Sequence, residues 1–316
     1  MASHVLRRLF EAIPVVVLAS LMVFSLLQIV PGDPAINLAG ADASDEDVEI
    51  VRERLGLNKP IVEQYLDWAT GALRGDLGTS FRTRLPVSEM LRSALAPTLE
   101  LTAAAFLIEL LIGIPLGVMA GTHLRSSWDW VLSVFSVFGI AIPHFVLGLV
   151  LLYFVSFRMG WLPIGGRVSI FADPIESLRY LLLPACVLGF TGAAVLARFV
   201  RTSVAQVMNQ DYIRTGRAKG LREGVVITRH ALRNGLVPVV TVIALQFAAL
   251  LTGSVVIESV FSRPGVGRLV VNAIQSRDYP VVQGTLLGLV ATFILLNLIA
   301  DLLYGVLDPR IRAARA

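Results

Sequence analysis

Few side chains in this sequence are placed where they could do covalent chemistry. Glu109 stands in the middle of an apolar stretch, Leu101 to Gly121. An ionised group there costs about 2.5–3.5 kcal/mol on insertion scales, so a cavity or a polar partner is expected. A proton relay would use such a group, yet no basic residue at similar depth accompanies it. The histidines, His4, His123, His144 and His230, are scattered, without H-E-x-x-H or paired-cysteine spacing. Cys186 is the only cysteine, which excludes an internal disulfide and reads as inert packing. No G-x-x-x-x-G-K-[ST] loop occurs, and Gly265 to Gly267 is only a fragment of a glycine motif. The expectation is no catalytic residue, no metal, no cofactor and an energy source on another chain.

The elements that would position such groups are set by a membrane. Residues are 55% hydrophobic and 16% charged, with a mean hydropathy of +0.74, outside the range of ordinary soluble domains. A span needs roughly 20 apolar residues. Six stretches qualify: Ile13 to Val30, Leu101 to Gly121, Trp130 to Phe157, Tyr180 to Phe199, Leu236 to Ile257 and Val281 to Leu303. The first follows Arg7 and Arg8 and imitates a secretory signal, but its length predicts a retained helix.

Lys/Arg bias in short connections sets orientation. On the N-terminal side stand Arg7 and Arg8, then Arg125, eight cations from Arg198 to Arg233, and finally Arg310, Arg312 and Arg315. The opposite loops hold only Arg158, Arg167, Arg179, Arg263, Arg268 and Arg277. Both termini are therefore expected in the cytoplasm. The pI of 9.6 reflects this bias, and no nucleic-acid-binding motif is visible.

Residues 31–97 interrupt the membrane pattern and carry eleven acidic against seven basic side chains. Ser44 reads as an N-cap, with Asp45, Glu46 and Asp47 suited to the helix N-terminus, and Gly56 as the stop. A second amphipathic pattern, Val62, Tyr65, Leu66, Ala69 and Leu73, runs to Gly75, Asp76 and Gly78. A small extracytoplasmic helical cap is predicted. Within the spans, Gly113, Gly117 and Gly121 recur every four residues, and Gly284 with Gly288 repeats the spacing. Such stripes let backbones approach, with a pathway lining as the sharper alternative. Pro115, Pro143 and Pro184 interrupt spans. Gln246, Asn297 and Asp301 are candidates for an interhelical polar network, and Arg198 is near enough to a membrane face to snorkel.

The connection from Asp211 to Asn234 differs from the others. Asp211-Tyr212-Ile213-Arg214-Thr215-Gly216-Arg217-Ala218-Lys219-Gly220-Leu221 reads as a two-turn helix, with Asp211 as N-cap and Gly220 as stop. Arg217 and Lys219 fall in the last turn, where the dipole favours cations. A helix this short needs something to pack against. One possibility is anionic lipid, drawn by Arg214, Arg217, Lys219, Arg222 and Arg229. The other is a soluble partner, with Tyr212, Ile213, Ala218 and Leu221 as its contact surface. The pattern alone leaves both open.

This run, followed by Arg229-His230-Ala231-Leu232-Arg233-Asn234, resembles the cytoplasmic coupling loop of dipeptide, oligopeptide and nickel ABC importer permeases. Pro31-Gly32-Asp33-Pro34, Leu55-Gly56-Leu57 with Pro60, Gln64-Tyr65 and Gly75-Asp76-Leu77-Gly78 with Ser80 are similar to that family's extracytoplasmic segment. So are Trp161-Leu162-Pro163, Pro184, Glu258 with Phe261, Pro264-Gly265-Val266-Gly267, Asp278-Tyr279-Pro280 and Asp308-Pro309-Arg310. Against the wider importer pattern Glu-Ala-Ala-x-x-x-Gly, aligned on Gly220, this chain has Arg214, Thr215 and Gly216. Gly216 replaces an alanine usual in the peptide branch and should weaken the helix by up to about 1 kcal/mol.

The resemblance implies an all-α membrane protein of the type I ABC importer (MetI-like) permease fold. It would have six transmembrane helices and an extracytoplasmic helical insert after the first. Residues 1–97 would hold the first helix and insert, 98–307 the five-helix core with a coupling loop at 201–235, and 308–316 a cytoplasmic tail. It implies a bacterial inner-membrane permease, not an enzyme, that pairs with a second homologous permease, two ABC ATPase domains and an extracytoplasmic substrate-binding protein. Di- or oligopeptides are the expected cargo; nickel, opine or glutathione are alternatives. Asp211 to Leu221 would couple to the ATPases, and Glu258, Phe261, Pro264, Gly265, Gly267 and Asp278 would face the binding protein. Glu109, Gly113, Gly117, Pro143 and Gln246 are assigned to the pathway or to helix packing. A proton-coupled carrier resting on Glu109, and a membrane-embedded enzyme, are the readings from other classes.

Overall fold

The computed structural model describes residues 2–29, 33–40 and 43–307. Pro31-Gly32, Asp308-Pro309-Arg310, the 308–316 tail and its arginines lie outside these residues, and the polar network expected of Asn297 and Asp301 lies outside the described side chains. Every regular element described is helical; the one bridge pairs Thr79 with Pro86. The chain divides into two compact units, Met1–Ala96 with Gly265–Leu298, and Pro97–Pro264 with the chain from Ile299. The first thus includes a stretch, Gly265–Leu298, expected in the five-helix core.

The first unit begins with α1 (Ala2–Ile29). α2 (Pro34–Ala39) was not anticipated, yet its signals are present: Asp33 accepts from Ala35 N at 2.8 Å and Pro34 opens the helix. α3 (Asp45–Arg54) starts at the expected Ser44, whose side chain and that of Asp47 form a reciprocal capping box. Leu55 ends it, and Gly56 takes the left-handed conformation, φ +68°. α4 (Ile61–Leu73) turns its aromatic face to α1: the Tyr65 ring lies 5.4 Å from Phe24, and its hydroxyl is 2.9 Å from Ser20 Oγ. α13 (Val266–Gln275) and the start of α14 (Tyr279–Leu307) complete the unit. Gly284 and Gly288 let Val87, Leu77 and Leu91 approach α14.

The second unit is built on α5 (Val87–Thr122), which runs on from the first, α8 (Pro174–Met208) and α12 (Val237–Val260). Among the described residues these are the three helices long and apolar enough to cross a membrane singly. The third expected span is broken. α6 (Ser127–Ala141) and α7 (His144–Leu151), which continues as a π-helix to Arg158, meet at 99° around Pro143. Proline removes a donor and pushes Ile142 into extended backbone, ψ 118°. Pro115 and Pro184 remain inside their helices. The apolar runs Phe10–Ser25 and Tyr279–Leu295 lie within longer helices, α1 and α14.

Candidate functional site: the basic loop and the α5–α8 seam

The basic loop leaves α8 at Met208 and folds as α9 (Asp211–Ala218), α10 (Glu223–Val225), a π-helical turn Val226–Ala231, and α11 (Leu232–Gly235). The helix begins one residue earlier than expected. Gln210, not Asp211, is the N-cap; its side chain makes no capping bond, and Asp211 is the first helical residue. There the acidic group still favours the N-terminal dipole. Lys219 is the C-cap and Gly220, φ +76°, the left-handed stop.

Ile213 corrects the expected contact surface. Its side chain is fully buried against Val226 and Ala231, flanked by Val207 and Met208. It anchors α9 to its own chain. What the helix and its C-terminal turn present outward is Asp211, Tyr212, Arg214, Thr215, Arg217, Ala218, Lys219, Gly220 and Leu221. Arg217 is half-committed, donating to Glu223 through Nε (3.0 Å) and Nη2 (2.6 Å). That bond holds the Glu223 carboxyl below its usual range. Asn234 donates to the Tyr212 hydroxyl at 3.2 Å, tying the two ends of the loop together, and Ser203 Oγ donates to the Gly235 carbonyl at 2.5 Å, fastening its far end to α8. The result is a short cationic peg on a buried root.

At the root, α5 and α8 are in backbone contact along one stripe. A Cβ at Gly117 would stand 2.6 Å from the Ala197 carbonyl oxygen, one at Gly113 3.1 Å from that of Ala193, and one at Gly121 2.8 Å from that of Arg201. The four-residue spacing therefore serves packing. Glu109 occupies the same stripe, fully buried, its carboxylate against Gly192. Neither carboxylate oxygen is met at full hydrogen-bond geometry among the described residues, and the polar group near enough to act on it is the Gln246 side chain. Gln246 of α12 lies beside it, but its amide donates to the Gly192 carbonyl at 3.4 Å.

Of the six residues expected to face a binding protein, five are buried: Glu258, Phe261, Gly265, Gly267 and Asp278. Pro264 is exposed. Asp278 accepts from Ser80 Oγ (2.5 Å) and Phe81 N (3.0 Å), pinning the turn after Gly78.

The fold agrees with what comparison finds. Residues 113–313 match the family model described as "Binding-protein-dependent transport system inner membrane component", and residues 1–102 match the companion N-terminal model. The chain belongs to this family. A putative peptide transport system permease of Brucella abortus is 43% identical over 99% of both chains. A probable peptide ABC transporter permease of Sinorhizobium fredii is 39% identical over 99% of this chain and all of its own. A glutathione transport system permease of Salmonella choleraesuis is 42% identical over 99% of both. A chain of the methionine ABC transporter in inward-facing conformations superposes with a TM-score of 0.56 at 18% identity, covering 69% of this chain and 96% of that one. The fold is thus that of type I importer permeases.

This permease is accordingly a membrane component and not itself an enzyme; ATP hydrolysis lies on separate subunits. Its sequence also held charge pairs that spacing did not reveal. Asp129 is bonded by Arg201 through Nε (2.5 Å) and Nη2 (3.0 Å), and Glu100 is shared by Arg167 and Arg263. Partners 72, 67 and 163 residues apart leave no local signal.

Proposed function

We propose that this chain is the permease subunit of an ATP-driven, binding-protein-dependent importer of di- or oligopeptides, with α9 as the element that engages the ATPases. The carrying observation is the construction of α9. Ile213 is buried in the chain itself, so force applied to the exposed cations passes through a packed root to α8 and α12. A rigid peg is what ATPase closure would need to tilt the spans between inward-open and outward-open states.

The reading includes six spans with both termini in the cytoplasm, a homologous permease beside this one, and an extracytoplasmic face formed by the insert and the segment around Pro264. Peptide cargo is supported by the relatives from Brucella and Sinorhizobium, whose names carry that substrate. Glutathione is the second reading, favoured by the Salmonella relative at similar identity, and is itself a tripeptide. Selectivity between them would reside in the binding protein.

The test is co-purification. Gly220→Asp, or deletion of Tyr212 to Leu221, should abolish capture of the ATPase subunits while membrane insertion continues. ATPase capture at the unmodified level by both variants would refute the assignment of α9.

A further inference from the structure

Glu100, at the start of the apolar part of α5, is shared by guanidiniums from two other segments. Arg167, in the connection between α7 and α8, donates to it through Nε (2.9 Å) and Nη2 (2.5 Å). Arg263, just beyond α12, donates through Nη2 at 3.0 Å. The Arg263 side chain is 2% exposed, that of Arg167 22%. Glu258, fully buried in α12, accepts from Thr98 Oγ1 at 2.6 Å and lies close enough to act on the Arg263 charge. Two carboxylates and two guanidiniums therefore share one cluster, with Glu258 and Arg263 dry and Glu100 and Arg167, about a quarter exposed, at its edge.

The main chain closes the same point. Gly166 N donates to the Phe261 carbonyl at 3.1 Å, and a Cβ on Gly165 would overlap that oxygen. The stretch of α5 around Glu100, the 159–173 connection and the end of α12 are thereby drawn together. Burial pushes the Arg263 guanidinium down from its ordinary value, with Glu100 and Glu258 opposing the shift. Arg263 Nε is buried with no hydrogen-bond partner among the described residues. The arrangement is not the one a purely stabilising site would take, because desolvating charges offsets most of what their attraction returns. Buried charge networks are better suited to selecting one arrangement of elements over another.

We propose that Glu100, Arg167 and Arg263 form a latch that holds the outer end of this unit closed and that opens in each transport cycle. The proposal rests on the permease reading, including the extracytoplasmic side assigned to these residues. Glu100 is a positioning residue; it contacts no cargo.

The test uses the complete transporter in proteoliposomes, with this chain in a C186S background carrying Glu100→Cys and Arg263→Cys. Bridging the two thiols with a short reversible cross-linker should cut uptake about tenfold or more, and reduction should restore it. Unchanged uptake after complete bridging overturns the latch. If the cysteine pair itself abolishes uptake, Glu100→Gln decides. It should raise ATP hydrolysis without binding protein several-fold, with Glu100→Asp restoring the low rate. Assembled Glu100→Gln transporter hydrolysing at the unmodified rate overturns the proposal, and if Glu100→Gln does not assemble, Arg167→Gln is read the same way. Absence of ATP-driven uptake by the unmodified complex would instead be a failure of the permease reading.

Discussion

A Cβ at position 192 would overlap the Glu109 carboxylate, so the glycine of α8 and the glutamate of α5 define one contact. The carboxylate is held mainly by shape, with Gln246 of α12 the polar side chain near enough to act on it. Gly192→Ala should therefore force Glu109 aside and lower stability by about 1–3 kcal/mol, as overpacking does. Adding Glu109→Ala should recover most of the loss. Melting of the purified permease in detergent checks this: equal melting of Gly192→Ala and the unmodified chain would show that the seam yields freely.

Ile213 makes a separate prediction, because its burial is within the chain. Ile213→Ala should cost the loop about 2–5 kcal/mol and speed amide exchange across Asp211–Ala218 without any ATPase present. Leu221→Ala, at a side chain 40% exposed, should leave exchange nearly unchanged while weakening ATPase capture. Similar exchange in the two variants would mean that the helix lacks this root.

Much of this fold is legible in the sequence where the signal is local. Ser44 with Asp47, Gly56, and Gly220 are read correctly because a cap or a left-handed turn depends on a few neighbouring residues. The Gly113 stripe announces its own packing by period. Ile213 is misread because a two-turn helix has apolar residues on more than one face, and only the return of Val226 and Ala231 decides which face is inside. The Glu100 cluster is invisible for the same reason at longer range. The break at Pro143 is signalled, but its 99° angle is not written in the local residues.

The Arg217–Glu223 pair gives the loop a pH dependence of known sign. Hydrogen bonding from Arg217 lowers the Glu223 pKa in the folded loop. A depressed carboxyl contributes stability that is fully present above its unfolded value, about 4.3, and is lost as pH falls through the folded value. With both side chains about half exposed, the contribution is under about 1 kcal/mol. Protection of the 217–223 amides should hold at neutral pH and weaken below about pH 4.5, and Glu223→Gln should remove that pH-dependent part. A loop equally pH-sensitive in Glu223→Gln would place the titrating group elsewhere.

Two glycines of α9 should respond in opposite ways to the same substitution. Gly216 is helical, and a Cβ there would meet only Leu221 Cδ1, at an ordinary 3.6 Å. Gly216→Ala thus removes backbone freedom without a clash and should stabilise α9 by up to about 1 kcal/mol. Gly220 has open space around it, but its φ of +76° is one that an L side chain adopts at a cost of about 1–2 kcal/mol. Gly220→Ala should therefore loosen the end of the helix although it touches nothing. Amide exchange of Asp211–Ala218 measured on both variants separates the causes: slower for the first and faster for the second if backbone conformation governs the peg, and the same direction for both if side-chain contacts do.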